Sequence, residues 1–327
     1  MVNFSQVENN NLDEQSILLS GGTGGWIEAG FTWVVRIFTF GTVALLFWLS
    51  WVIFQEAKPA IAQFGLKFLW DQIWNVNDLT FGAKPYIYGT LVSSVIALIL
   101  ALPIGLAVAL VGSEDFLPIW VRSPLAFVVE IIAAIPSVIV GLWGIFVLIP
   151  VLKPIELWLF NHWGRIPLFK TEDPSGPGML AAGIILAIMI LPTIAAITRD
   201  VLLAIPKELR SGSMALGATR WETIFRIVVP AGASGTLGAA MLALGRALGE
   251  TMAVTMVIGN STQISASLLE PASTIPAVLA NEFAEALDKL HIGALMYLAL
   301  ILFVLTLIVN IAAVAMIELM GLKEIRN

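Results

Sequence analysis

Apolar residues are grouped along this chain into six long stretches that contain few or no charged side chains. Each stretch reaches at least about 18 residues, the length that an α-helix needs to cross the hydrocarbon core of a bilayer. They lie at Ile37 to Gln55, within Tyr86 to Ser113, at Leu125 to Leu152, at Met179 to Thr198, within Val228 to Ile258 and at Ile292 to Ile317. The pattern predicts an all-α integral membrane protein with six transmembrane helices.

Residues 1–25 do not share this pattern, since they are polar and acidic and the first basic residue is Arg36. A secretory signal begins with positive charge and continues with a short apolar core, and this stretch has neither. We expect a mobile N-terminal tail at 1–25 and a transmembrane domain at 26–327. The run from Gly21 to Gly25 lacks the Lys-Ser/Thr pair of a phosphate-binding loop and is expected to be a flexible joint.

The composition supports the membrane assignment, because 58% of the residues are hydrophobic and only 12% are charged. Soluble domains average about 45–50% and about 25%, so a soluble enzyme and a disordered protein are excluded. The net charge of −6 argues against a nucleic-acid-binding surface. The chain has no cysteine, which excludes disulfides and thiolate metal sites. The two histidines, His162 and His291, are far apart and are expected to be solvated residues of outer loops, not metal ligands.

Basic residues are unevenly distributed between the connecting segments. The segment from Arg199 to Arg226 contains Arg199, Lys207, Arg210, Arg220 and Arg226, whereas the segment from Gly259 to His291 contains Lys289 alone. Basic residues favour cytoplasmic loops. The contrast therefore predicts that the first segment is cytoplasmic, that the second is external, and that both termini are cytoplasmic.

Two of the segments expected outside, Glu56 to Pro85 and Lys153 to Gly178, are long and rich in tryptophan. They contain Trp70, Trp74, Trp158 and Trp163. Tryptophan favours the boundary between membrane and water, so anchoring is one interpretation. The other is a surface on which an external partner docks.

The cytoplasmic segment at about 199–228 mixes charged and apolar residues. Pro206 suits the start of a helix, Gly217 interrupts the pattern, and Pro230 is expected to end the segment before the fifth span. The sequence predicts two short helices joined by a glycine turn. The apolar side chains available to such a segment are Met214, Leu216, Trp221, Ile224 and Phe225. The segment either inserts into a groove on a soluble partner or lies on the membrane surface as an amphipathic loop.

Arg246 and Glu250 are charged residues of the fifth span and are four positions apart. If that span is helical from about 233 to 258, both side chains share one helix face and Arg246 lies near mid-depth. A charge at that depth costs at least about 2.5–3.5 kcal/mol, so it must face a partner or a polar path. The pair is either a structural ion pair or part of an anion's route, with Arg246 as a fixed cation whose planar fork Glu250 orients.

Other small and charged residues of the spans admit two interpretations each. Gly245 and Gly249 form a small-xxx-small pair, which lets helices approach closely either within the chain or against a second permease. Glu130 interrupts the third span near its inner end, ahead of Pro136, which is expected to bend the helix. The Glu130 carboxylate either reaches the interface or lines an inner vestibule.

The segment at 211–230 resembles the EAA loop of ABC importer permeases, in which Glu-Ala-Ala is followed by Gly six residues after the Glu and then by Ile-x-Leu-Pro. Gly217, Ile227 and Pro230 match this spacing, Val229 replaces the Leu, and Ser211-Gly212-Ser213 replaces Glu-Ala-Ala. In the family this loop is a coupling helix seated in a groove of the ATPase subunit. The resemblance therefore assigns ATPase coupling to Ser211, Gly217, Ala218, Trp221 and Pro230.

Four further stretches resemble the PstC family of phosphate ABC transporter permeases. They begin at Phe81-Gly82-Ala83, Ile135-Pro136-Ser137, Ala218-Thr219-Arg220 and Ala243-Leu244-Gly245. The similarity covers roughly residues 30–320, and these motifs separate the phosphate branch, shared with the sister permease PstA, from permeases for sugars or amino acids. The family's transport-linked Arg and Glu match Arg246 and Glu250.

The resemblance implies a type I ABC importer permease (MetI-like) fold in the inner membrane of a bacterial cell. It implies partnership with PstA, with a dimer of the ATP-binding subunit PstB and with the phosphate-binding protein PstS, for import of inorganic phosphate. The sequence has no G-x-x-x-x-G-K-[ST] motif, so we expect a transport subunit that is not an enzyme and binds no cofactor or metal. ATP and Mg²⁺ are expected on PstB.

Three alternatives remain. An ABC permease for another oxyanion, such as molybdate or sulfate, would share the loop. An ion-gradient-driven secondary phosphate carrier would need no partner chains, but such carriers often show inverted repeats, and none is evident here. An intramembrane enzyme is disfavoured because the spans lack His, Cys or Ser catalytic motifs.

Overall fold

The computed structural model describes residues 24–115, 118–171 and 176–326, and this part of the chain is mostly helical. The helices are α1 (Gly24–Phe64), α2 (Lys84–Ser113), α3 (Ile119–Ala134), α4 (Ser137–Trp163), α5 (Met179–Ala204), α6 (Lys207–Ala215), α7 (Arg220–Ala231), α8 (Ala233–Leu248), α9 (Met252–Val257), α10 (Ile275–Glu282) and α11 (Lys289–Arg326). Short 3-10 turns lie at Gly65–Leu69 and Pro167–Phe169. The predicted tail at 1–25 lies outside the described residues except for Gly24 and Gly25, which begin α1.

Within the described residues, five helical stretches are long and apolar enough to cross a membrane: Gly30–Leu69, Lys84–Ser113, Ser137–Trp163, Met179–Ala204 and Lys289–Glu318. A sixth results if α7 and α8, which meet at a bend of 63°, are counted as one broken span. The prediction of an all-α, multi-pass membrane protein is confirmed. Two of the predicted spans, however, are interrupted where the sequence pattern suggested continuous helices.

The third predicted span, 125–152, is divided between two helices. α3 ends at Ala134 and α4 begins at Ser137, because Pro136 has no N–H to donate and disfavours helical geometry in the residue before it. Glu130 therefore lies on α3 and not in the membrane-spanning stretch Ser137–Trp163, which begins after α3 ends. α4 continues to Trp163, so the first part of the segment expected to be an outer loop is helical instead.

The fifth predicted span, expected to be helical from about 233 to 258, is also broken. α8 ends at Leu248, residues 249–251 are not helical, and α9 restarts at Met252. Gly249 has no Cβ, so its backbone leaves helical geometry at little energetic cost. The prediction that Arg246 and Glu250 share one helix face is therefore wrong. Pro230 does not end the preceding segment either, since it lies inside α7 and the break falls at Gly232.

The described residues form two compact units, which are divided between Gln55 and Glu56. In the described part of the first unit, α1 exposes large apolar side chains on all sides, including Phe31, Trp33, Phe47 and Trp48. A helix that is apolar all round is suited to a lipid environment.

In the second unit, α2 and α5 pack closely along their length and form the centre of the bundle. Glycines permit this approach: a Cβ added to Gly105 would lie 2.8 Å from Cγ2 of Ile194, and one added to Gly183 would collide with the side chain of Ile96. α8 packs against α2, α5 and α11. A Cβ on Gly245 would lie 4.0 Å from Oδ1 of Asn310 in α11, which supports in-chain packing as the role of that glycine.

Successive connecting segments lie at opposite ends of this bundle. At one end, the Met179 N–H donates to the Glu270 carbonyl at 3.1 Å and the Ile275 N–H donates to Oγ1 of Thr90 at 2.9 Å. At the other end, Arg210 contacts Glu114 across 96 positions of sequence. This alternation fits a chain that crosses the bundle repeatedly.

Candidate functional site

Arg246 lies in the last turn of α8, where its positive charge interacts favourably with the negative end of the helix dipole. Its side chain is exposed and lines a cavity of about 230 Å³. The other residues that line it come from the end of α3 and the following turn, from α4 and from α5: Ile132, Ile135, Ile139, Val140, Trp143, Ile188 and Met189. The cavity therefore places one guanidinium beside apolar walls.

Two helix breaks flank this cavity. The break between α3 and α4 contributes Ile135 to the lining, and α4 begins with no side-chain cap on its first N–H groups. The break between α8 and α9 begins three residues after Arg246. A helix N-terminus carries partial positive charge, and that charge attracts anions. The first break therefore lies in the wall of the cavity, and the second lies close to Arg246 along the chain.

Glu250 does not form the ion pair that one interpretation of the sequence proposed. Its Oε1 instead accepts a hydrogen bond of 3.4 Å from the Ala253 N–H, at the start of α9. Among the described residues, no carboxylate is ion-paired with Arg246. The geometry leaves the guanidinium available to a ligand and gives Glu250 a helix-capping contact.

The segment expected to couple to an ATPase forms the predicted pair of short helices, α6 and α7, joined by a glycine turn. Gly217 has φ +90°, and its N–H donates to the Met214 carbonyl at 3.0 Å, while the Ala218 N–H donates to the Ser213 carbonyl at 3.2 Å. This pair of bonds is the Schellman motif, which ends a helix with a left-handed residue that is usually glycine. The sequence therefore fixes the turn at Gly217.

α7 begins with a capping box between Thr219 and Glu222. The Glu222 N–H donates to Oγ1 of Thr219, and the Thr219 N–H donates to Oε2 of Glu222 at 2.9 Å. Leu216 is 92% exposed, and Trp221 and Phe225, each 60% exposed, stack with ring centroids 5.9 Å apart. The segment presents this apolar group on a well-ordered turn.

Ser211 and Pro230, the other residues assigned to coupling, have local roles in the structure. The Ser211 hydroxyl bonds back to the carbonyls of Lys207 and Glu208, both at 3.2 Å. Pro230 lies in the last turn of α7, close to the bend at Gly232. Neither side chain belongs to the exposed aromatic pair.

Glu130 is exposed and lines a small cavity of about 60 Å³ with Arg122 and Arg199 among its neighbours. It lies apart from the Arg246 cavity, whose lining it does not join. Both the interfacial and the vestibule interpretations of Glu130 remain predictions.

The tryptophans of the outer segments differ in environment. Trp70, Trp158 and Trp163 are exposed, as anchoring or docking requires. Trp74 instead packs against Phe81, with ring centroids 4.8 Å apart, and its indole N–H donates to Oε2 of Glu282 at 2.9 Å. Trp74 is therefore part of the folded core at this end.

His291 is a correction to the sequence prediction, since it is 4% exposed and not solvated. Its Nε2 donates to the same Oε2 of Glu282 at 2.9 Å, and its ring stacks on Phe81 at 5.3 Å. His162 is exposed, as expected. No local sequence signal connects His291 with Trp74, because the contact joins residues that are distant in the chain.

Two polar features were not anticipated from the sequence. Glu156 in α4 is fully buried, and neither carboxylate oxygen has a hydrogen-bond partner within the described residues. Arg210 and Glu114 form an ion pair of 2.9 Å that is largely shielded from solvent. The sequence offers no reason to single out Glu114, which simply follows an apolar span. Only the folding of the chain brings it close to Arg210.

Solved structures of low sequence identity share this fold. A bacterial ABC transporter involved in the import of the acidic polysaccharide alginate matches with a TM-score of 0.59 and 16% identity, over 88% of this chain and 97% of that one. The MetNI methionine ABC transporter, in an inward-facing conformation, matches with a TM-score of 0.53 and 18% identity, over 72% and 94% of the two chains.

Curated relatives are much closer in sequence. The phosphate transport system permease protein PstC of Xylella fastidiosa is 42% identical over 82% of this chain and 83% of its own length. The PstC protein of Mesorhizobium japonicum is 44% identical over 79% and 80%. Residues 101–320 match the family described as the binding-protein-dependent transport system inner membrane component. The chain belongs to that family of membrane permeases.

Proposed function

We propose that this chain is the transmembrane permease subunit of an ATP-driven, high-affinity importer of inorganic phosphate. The observation that carries the proposal is the identity of 42–44% to curated phosphate permeases over about four-fifths of both chains. Divergence within that range is compatible with a shared substrate when the substrate-facing residues are kept. In this chain the candidate for such a residue is Arg246, which lines a cavity and has no ionic partner among the described residues.

The proposed assembly pairs this chain with a sister permease of the PstA type, and the two together form the pathway. A dimer of PstB-type ATPase subunits hydrolyses ATP with Mg²⁺, and a PstS-type protein delivers phosphate from outside. The exposed Leu216, Trp221 and Phe225 suit insertion into a groove on the ATPase. This placement makes the α6–α7 segment cytoplasmic and puts both termini on that side, in agreement with its excess of basic residues.

Arg246 has the chemistry that an oxyanion requires on its route. Its planar guanidinium donates two parallel hydrogen bonds to neighbouring phosphate oxygens. The apolar walls of the cavity lower the local dielectric beside the guanidinium, which strengthens those bonds. Glu250, near the same break, accepts a hydrogen bond from a protonated phosphate oxygen, which a fully deprotonated oxyanion does not offer.

Transport then follows from two conformations of the assembled permease. The loaded binding protein docks outside, ATP closes the ATPase dimer, and the α6–α7 segment transmits that movement to the spans. The pathway opens outward, phosphate passes Arg246, and hydrolysis returns the permease to its inward-open state. Each ligand shifts this equilibrium only through its different affinities for the two states.

Labelled phosphate uptake at low external phosphate tests the proposal. The chain is expressed with its neighbouring partner genes in a host that lacks its own high-affinity system. Arg246→Gln removes charge-assisted hydrogen bonds worth roughly 1.5–3 kcal/mol each, so uptake should fall by roughly tenfold or more. Arg246→Lys keeps the charge without the fork and should give an intermediate rate. Arg36→Gln, which removes an exposed arginine from α1, is the matched control.

The outcomes separate the parts of the proposal when membrane levels of the variants are equal. Normal uptake by Arg246→Gln would make Arg246 a structural residue and remove it from the route. A wild-type complex that assembles but takes up no phosphate would refute the substrate, and molybdate and sulfate would be measured next. Uptake that persists without the ATPase gene would indicate an ion-driven carrier.

A further inference from the structure

Arg210 forms four hydrogen bonds with three other residues. Its Nε and Nη2 donate to Oε1 of Glu114 at 3.0 and 2.9 Å. Its Nη1 donates to the Ile205 carbonyl at 2.8 Å, and its Nη2 also donates to the Leu202 carbonyl at 2.7 Å. The side chains of Arg210 and Glu114 are 17% and 15% exposed, so solvent weakens the contact little.

These partners mark the ends of two central helices. Glu114 immediately follows α2, and Leu202 and Ile205 lie in the last turn of α5 and just beyond it. The last carbonyls of a helix have no partner within the helix and carry partial negative charge. A single guanidinium on α6 thus satisfies the end of α5 and neutralises the acid at the end of α2.

α6 makes few other contacts with α2 and α5. None of its residues is buried, so apolar packing does not fix its position. Beside the ion pair lies a cavity of about 170 Å³, whose lining includes Glu114, Arg210 and Met214. A hydrogen bond of 3.0 Å between the hydroxyls of Ser213 and Thr223 connects α6 with α7 across the turn at Gly217. The Arg210 contacts are therefore the main attachment of α6 to α2 and α5.

We propose that Arg210 and Glu114 are positioning residues that transmit movement of the α6–α7 segment to α2 and α5. The inference rests on the proposed function, in which a partner ATPase moves that segment. α5 also supplies Ile188 and Met189 to the Arg246 cavity, so a displacement of its end reaches the site along one continuous helix. Without the contact, movement of α6 would reach α2 and α5 only through α7, whose Ile224 packs in one buried cluster with Leu110 and Leu202. Fewer ions would then be imported for each ATP hydrolysed.

The first measurement is made on the purified complex in detergent and needs no transport. Hydrogen–deuterium exchange of α6 is compared between wild type, Glu114→Gln and Arg210→Lys. Glu114→Gln keeps the size of the side chain and leaves the carbonyl contacts of Arg210 in place. Loss of the charge-assisted bonds should speed exchange in α6 by roughly tenfold. Unchanged exchange in both variants would overturn the proposal whether or not phosphate is the substrate.

The second measurement is the number of phosphate ions imported per ATP hydrolysed, in liposomes that contain the complete complex. Arg210→Ala and Glu114→Gln should lower this ratio, by roughly tenfold for Arg210→Ala, while ATP hydrolysis continues. Arg122→Ala is the matched control, because Arg122 pairs with an exposed acid, Asp115, at 3.1 Å. If Arg210→Ala does not assemble, Glu114→Gln decides the matter, and a wild-type ratio in that variant would refute the proposal.

A failure of the proposed function is distinguishable from a failure of this inference. If the wild-type complex imports another oxyanion, the same ratio is measured with that anion. If no anion is transported, the proposed function fails, and the exchange measurement alone decides whether Arg210 fixes α6.

Discussion

Glu282 accepts hydrogen bonds from two side chains at once, and replacing it tests how the surrounding end of the second unit is held together. Its Oε2 lies 2.9 Å from the Trp74 indole nitrogen and 2.9 Å from His291 Nε2. The rings of Trp74 and His291 both pack on Phe81. Glu282→Ala leaves both donors without their acceptor inside an aromatic cluster.

The expected loss of stability follows from counting those donors. An unsatisfied buried donor costs about 1–3 kcal/mol, so two donors give a range of about 2–6 kcal/mol. The Glu282 side chain is 28% exposed, which lets water replace part of what is lost. We therefore expect a decrease of about 2–3 kcal/mol in the free energy of unfolding. Trp74→Phe removes one donor and keeps the ring, and should cost about 1 kcal/mol.

Thermal unfolding of the detergent-solubilised protein, followed by the fraction that remains monodisperse, measures the difference between variants. Glu285→Ala is the matched control, since Glu285 is exposed and its side chain makes none of the described hydrogen bonds with this cluster. Its only described bond to Glu282 joins the two backbones, at 3.1 Å, and the substitution keeps it. It should change stability by less than about 0.5 kcal/mol. Equal unfolding curves for Glu282→Ala and Glu285→Ala would refute the assignment of a structural role to this carboxylate.

Three further changes test other parts of the structure. Gly183→Val forces α2 away from α5 and should sharply reduce the yield of folded protein, whereas Gly238→Val, where an added Cβ has only an ordinary contact at 3.7 Å, should be tolerated. Thr219→Ala removes the cap of α7 and should cost about 1 kcal/mol, seen as faster hydrogen exchange in that helix, which Thr219→Ser should restore. Glu250→Gln keeps an acceptor for the Ala253 N–H, so thermal stability should stay within about 0.5 kcal/mol while phosphate uptake falls. Normal uptake would leave Glu250 only its capping role.

An all-α chain that crosses a membrane several times could be predicted because an apolar length is a property of the sequence alone. The position of the third span was wrong, since the structure has it at Ser137–Trp163 and not at 125–152. The turn at Gly217 could also be predicted, since its positive φ suits glycine and few other residues. The interruption at Pro136 was predicted in part, since that proline was expected to bend the helix. The interruption after Leu248 was not predicted, because that span was expected to be helical from about 233 to 258. A hydropathy count measures how long a segment is and not whether its backbone stays helical.

The contacts of the charged residues could not be predicted from the sequence, for a different reason. Arg210 and Glu114 are 96 positions apart, and Trp74 and Glu282 are 208 positions apart. Composition and spacing carry no information on which distant groups the packing of α2 against α5 brings together. The environment of His291 was misjudged for the same reason, since its burial depends on Phe81 and Trp74.

The interruption of the chain at Pro136 also affects how the Arg246 cavity tolerates mutation. α4 starts there with no side chain capping its first N–H groups, so those groups are polar features of the main chain. Nearly every substitution in the surrounding side chains leaves them in place. A conventional alanine scan would then report only Arg246 and its neighbours, because it does not alter the backbone at the start of α4. Such a site can diverge in side-chain composition while its hydrogen-bonding capacity is retained.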